Sequence, residues 1–137
     1  MKICKTIILL LIILLVSGCV FIGMVRIEGD SQHWKGEITY KISDTVENGE
    51  GYIEYLGDEQ LVSIEYVIKF PEIFTIGHSG SMENINQDDT IFSIGILNPP
   101  HEDVDTFRNN VDDISITVKW ETVSGNVFEE NIDLEQK

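Results

Sequence analysis

The 137 residues carry 24 acidic and nine basic side chains and two cysteines, and these counts narrow the field. All 24 acids and only seven of the bases lie from Cys19 onward, so that part is expected to repel nucleic acid and anionic membrane surfaces and to be kept dispersed and monomeric by its own charge, with capture of cations or a basic partner as the alternative reading. Cys4 and Cys19 leave no thiol further along the chain, which excludes a disulfide scaffold and cysteine-ligated zinc.

The chain opens with "MKICKTIILLLIILLVSG" and then Cys19. Lys2 and Lys5 form a positive start, Ile7 to Val16 an unbroken apolar core, and Ser17-Gly18 the small residues that a signal peptidase accepts. Residues 1–18 are therefore expected to be a signal peptide cut before Cys19. The apolar run continues as "VFIGMV", so Ile7 to Val25 also has the length of an uncleaved transmembrane anchor, which is the alternative. In both cases Lys2 and Lys5 hold the start of the chain inside and place the remainder on the extracytoplasmic side. Residues 19–33, including "VRIEGDSQ", are read as the new N-terminus and a short tether, and 34–137 as one domain.

Strands follow in order. In "WKGEITYKI", Trp34, Ile38, Tyr40 and Ile42 alternate with polar residues, the period of a sheet with one buried face. Asn48-Gly49 predicts a tight hairpin turn, pairing Ile42 with Tyr55 and turning Ile53 and Tyr55 inward. A second turn at Asp58-Glu59 would pair Tyr55 with Val62 and point Val62, Ile64, Tyr66, Ile68 and Phe70 the same way. Pro71 ends that strand, since it has no N–H for a ladder. "EIFTIGHSGSMENINQDD" reads as loop, with an edge strand at Ile73 to Ile76.

"TIFSIGIL" gives a strand with Phe92, Ile94 and Ile96 on one face, ended by Pro99-Pro100. Val104, Phe107 and Val111 have helical spacing, so a short helical turn or a loop packing Phe107 follows. "ISITVKW" turns Ile114, Ile116, Val118 and Trp120 inward, and "VFEENIDL" offers Phe128, Ile132 and Leu134. A two-residue turn at Ser124-Gly125 would set Trp120 against Glu129. The turn is thus expected to have three or five residues, centred to pair Val118 with Ile132 and Ile116 with Leu134. Six or seven short antiparallel strands predict an all-β fold, a two-layer β-sandwich of immunoglobulin-like order or a small barrel.

Chemistry is sparse. "GHSGS", Gly77 to Ser81, lacks the last glycine of a nucleophile elbow and the helix that must follow it, so no catalytic residue is assigned and no enzyme is expected. His33, His78 and His101 stand alone, without ligand spacing. "NINQDD", residues 84–89, fails as an EF-hand at its sixth and twelfth positions, leaving only a looser calcium site shared with Asp103, Asp105, Asp112 or Asp113 as an alternative. No metal ligand or cofactor is assigned.

With Val16-Ser17-Gly18-Cys19 as a lipobox, and with "GDSQHWKGEITY", "GYIEYLGDEQ" and "ISITVKW", the chain resembles small cell-surface lipoproteins of Bacillus and related Firmicutes. The resemblance implies a single β-domain anchored to the membrane by a lipid on Cys19, and it implies no catalytic residues. The expected function is a non-enzymatic binding or interaction module at the cell surface. A cation-binding accessory of an envelope transporter or enzyme is the second expectation.

Overall fold

A computed structural model describes residues 23–137. The expected signal peptide, residues 1–18, and the expected lipid site, Cys19, lie outside the described residues. The fold is all-β, with two antiparallel sheets over one core. Nine strands are described: β1 Gly23–Asp30, β2 Trp34–Ile42, β3 Val46–Tyr55, β4 Leu61–Lys69, β5 His78–Glu83, β6 Ile91–Leu97, β7 Ser115–Thr122, β8 Val127–Asp133 and β9 Glu135–Gln136. One short helix, α1 Val104–Asn110, precedes a 3₁₀ turn at Val111–Asp113. The first sheet has the order β6-β3-β2-β1-β9 and the second β5-β4-β7-β8. This is not the immunoglobulin order, where consecutive strands two and three part into different sheets; here β1, β2 and β3 form a meander.

The alternation in β2 is as expected, with Trp34, Ile38, Tyr40 and Ile42 buried. The turn after it is not at Asn48-Gly49, which lie inside β3. The chain reverses at Ser43–Thr45, and Trp34 pairs with Tyr55 and Tyr40 with Gly49. A turn at 48–49 would have left most of β2 without a partner. The longer ladder instead buries Trp34 against Tyr55, ring centroids 5.1 Å apart, and overrides the local turn preference. The two registers differ by an even number of residues, so Ile53 and Tyr55 still point inward.

Nor does β3 pair with β4. Leu56–Gln60 cross from one sheet to the other, with Leu56 N–H donating to His33 O and Val123 N–H to Gln60 O. A bulge between Leu61 and Ser63 puts Leu61 in the core and Val62 outside. Where an edge strand was expected at Ile73 to Ile76 there is a turn that buries Phe74; the edge strand is β5, inside the expected loop. In β6 a second bulge, with Gly95 at φ +82°, turns Ile96 outward and Leu97 inward, reversing the expected face of Ile96.

The helical turn exists and buries Phe107 and Val111; Asp103 caps it by accepting from Thr106 N–H at 2.8 Å. The β7–β8 loop has three residues, Val123–Gly125, with Gly125 at φ +81°. It lies one position earlier than expected, so Ile116 pairs with Ile132 and Trp120 with Phe128, while Val118 faces Glu130. The segment read as a tether holds β1, whose Val25 and Ile27 are core residues.

Candidate functional site

The ladders give the molecule two distinct ends. Gly23, the Ser43–Thr45 turn, the end of β6 and α1 gather at what we term the near end, where Gly23 pairs with Ile42 and Val46 N–H donates to Glu102 O. The Ser31–His33 turn, the Leu56–Gln60 crossing, the 84–90 loop and the Val123–Gly125 loop form the far end.

At the far end the inward residues of β2, β3, β7 and β8 make an aromatic cluster. Trp34 meets Trp120 edge-on at 5.6 Å, and Phe128 stacks on Trp120 at 5.3 Å. Trp34 is fully buried, whereas Phe128 is 43% exposed. The cluster opens into a shallow pocket of about 220 Å³ lined by His33, Tyr55, Trp120 and Phe128 with Asp58, Glu59 and Thr122. Glu59 is held in place by Ser124 Oγ, which donates to it at 3.2 Å and is itself bonded to Thr122 and Asn126. The Tyr55 hydroxyl titrates above the usual tyrosine range, first because it is buried and then because Glu59, Asp58 and Glu130 surround it with negative charge.

Beside the pocket, Glu130 occupies the inward position opposite Val118 on edge strand β8. It accepts from Ser31 Oγ at 2.6 Å and from His33 N–H at 3.0 Å, and its other oxygen lies 2.5 Å from His33 Nδ1. Burial pushes this carboxyl up. The hydrogen bonds from Ser31 and His33 outweigh burial and hold it below the ordinary glutamate range. The pair braces the first sheet's turn against the second sheet's edge. In the sequence His33 stands alone, because its partner lies 97 residues away.

The other candidates separate. His78 points from β5 to the Ile94 carbonyl, 2.8 Å away, and Ser79 and Ser81 of the "GHSGS" stretch are exposed on that edge strand. His101 Nδ1 accepts from Asp103 N–H at 3.1 Å. The acidic loop 84–90 lies at the far end and Asp103, Asp105, Asp112 and Asp113 at the near end, so the two acidic segments do not converge. Among the described residues no three His, Cys, Asp or Glu side chains come together as a metal centre.

On the outer face of the first sheet, Arg26 contacts Glu28 at 2.5 Å and Glu37 at 2.9 Å, and Tyr52 donates to Glu37 at 3.0 Å. Among the described residues no helix is long and apolar enough to cross a membrane. No protein-family model matches this chain, and no curated protein or solved structure is significantly similar to it.

Proposed function

We propose that this chain is an exported, lipid-anchored β-sandwich module that binds a partner at the cell surface without catalysing a reaction, carried on a diacylated Cys19. The observation behind this reading is that the first sheet takes up the end of the apolar run. β1, described from Gly23, buries Val25 and Ile27, so the last apolar residues of the N-terminal run belong to the sheet. What remains is at most Ile7 to Ile22, 16 residues, or about 24 Å as a helix against a hydrocarbon core of about 30 Å. That is short for a span and ample for a signal core followed by its cleavage site.

Cutting before Cys19 leaves at most Val20 to Ile22 between the lipid and β1, a reach of no more than about 10 Å. The near end then rests close to the bilayer, and the far-end pocket faces away from it, towards other surface molecules. The bracing of Glu130 against His33 uses the one histidine–carboxylate pair among the described residues for structure. Separation of the acidic segments to opposite ends argues against one calcium site built from both. The surface lipoproteins of Bacillus and related Firmicutes, which the N-terminal motif resembles, are the class this reading points to.

Mass spectrometry of the protein extracted from its native membrane, beside a Cys19→Ala variant, tests the anchor. A mature mass beginning at Cys19 plus diacylglycerol, lost in the variant, is the expected result. An intact, unlipidated chain retaining Met1 would overturn it.

A further inference from the structure

We propose that the far-end pocket receives a basic side chain, Lys or Arg, of an extracellular protein partner. Its walls and its charge point to the same chemistry. Phe128 is 43% exposed and stacked on Trp120, and Tyr55 and Trp120 complete an aromatic wall. Aromatic faces attract a cation through the ring quadrupole, more strongly when the site is partly desolvated. Asp58 and Glu59 stand at the rim, and no Lys or Arg lines the pocket. Glu59 is not a loose surface group, because Ser124 fixes it from the opposite loop.

A second observation reports the field inside the pocket. The Tyr55 hydroxyl feels Glu59, Asp58 and Glu130 together, on top of its burial. Three carboxylates acting on one partly enclosed point, between low-dielectric aromatic walls, focus negative potential there. An apolar anion or a neutral ring would gain nothing from that field. An aliphatic stem with a charged tip gains twice, since the stem lies on the rings while the tip reaches the carboxylates. The pocket's size, about 220 Å³, suits one such side chain and not a folded element.

The orientation away from the bilayer rests on the reading given above; the pocket's chemistry does not. The test therefore uses the full chain in neutral detergent, where binding is measured whether or not Cys19 carries lipid. Capped lysine, capped arginine and capped acetyl-lysine peptides are titrated by two-dimensional NMR, following the Trp120 indole and the amides of 56–60 and 122–128. Saturable shifts confined to those signals are expected with the lysine or arginine peptide, and none with the acetylated one.

Asp58→Asn with Glu59→Gln should weaken binding about tenfold, and Phe128→Ala about threefold. Asp88→Asn with Asp89→Asn makes the same change of charge elsewhere at the far end and should leave affinity within about twofold. Retained dispersion of the remaining amide signals shows that each variant is folded. Equal weakening by both charge pairs, or binding of the acetylated peptide as tight as that of lysine, would overturn the proposal. So would the absence of saturable shifts with either basic peptide.

Discussion

Replacing Gly29 by alanine adds one methyl group, and its consequence can be worked out from the backbone it would meet. A Cβ at Gly29 overlaps the carbonyl oxygen of Asp133 and stands 3.0 Å from its carbonyl carbon, with Ile132 Cγ2 at 3.4 Å. The obstacle is main chain, so no rotamer change can relieve it. Either β1 withdraws from the β8–β9 segment or that segment lifts. Lifting it strains the bond from Leu134 N–H to Ile114 O and that from Lys137 N–H to Arg26 O, and it uncovers Leu134, which is fully buried. Forced overpacking costs about 1–3 kcal/mol where side chains can yield, and a backbone obstacle belongs at or above the top of that range.

We therefore expect Gly29→Ala to lose about 3 kcal/mol, close to 10 °C in melting midpoint for a domain of this size. Gly77 is the matched control, because a Cβ there meets nothing within 4 Å. Gly77→Ala should be neutral or gain about 0.4–1 kcal/mol by restricting the unfolded chain. Urea denaturation with an unchanged m-value measures both. A Gly29→Ala protein within about 1 kcal/mol of wild type would refute the close approach of β1 to Asp133.

Three further outcomes follow from the same structure. The Tyr40 hydroxyl is buried and has no hydrogen-bond partner among the described residues, and burial raises its titration well above the ordinary tyrosine range; Tyr40→Phe should raise the unfolding free energy by about 1 kcal/mol, seen as a higher urea midpoint. Glu130→Gln should cost about 1–2 kcal/mol at pH 7. Because Glu130 titrates lower when folded than the ordinary value of 4.5, its contribution is complete above that value and is lost as pH falls through the folded one. Urea midpoints at pH 7, 5 and 3 should show the gap between wild type and variant closing at the acid end, and a gap that stays constant would exclude the carboxylate as its source. The Gly95 bulge predicts that Ile96→Asp changes stability by no more than about 0.5 kcal/mol, whereas Leu97→Asp, at a position 1% exposed, prevents folding by burying a carboxylate; far-UV circular dichroism of the two variants distinguishes this from the uninterrupted alternation of the sequence.

By itself the sequence determined which residues face inward over most of the sheet. Period-two alternation is a local property, imposed by the pleat on neighbouring side chains, and it placed Trp34, Tyr40, Ile53, Ile64, Val118 and Trp120 correctly. It survived a wrong pairing of β2 with β3, because an even shift of register preserves faces. It failed only at Val62 and Ile96, where a bulge adds a residue and inverts the alternation beyond it.

Strand pairing was decided elsewhere. The Asn48-Gly49 turn lost to a longer ladder, and "GDEQ" became a crossing between sheets, since the free energy of burying Trp34 between Tyr55 and Trp120 outweighs a preference of two residues. The start of β1 was hidden in a run that hydropathy alone joins to the apolar residues before it. The pocket was out of reach of sequence reading for the same reason. Its residues come from β3, β7, β8 and two loops, and Glu130 reaches His33 across 97 positions. No local signal specifies such a meeting; only the closure of two sheets over one core creates it.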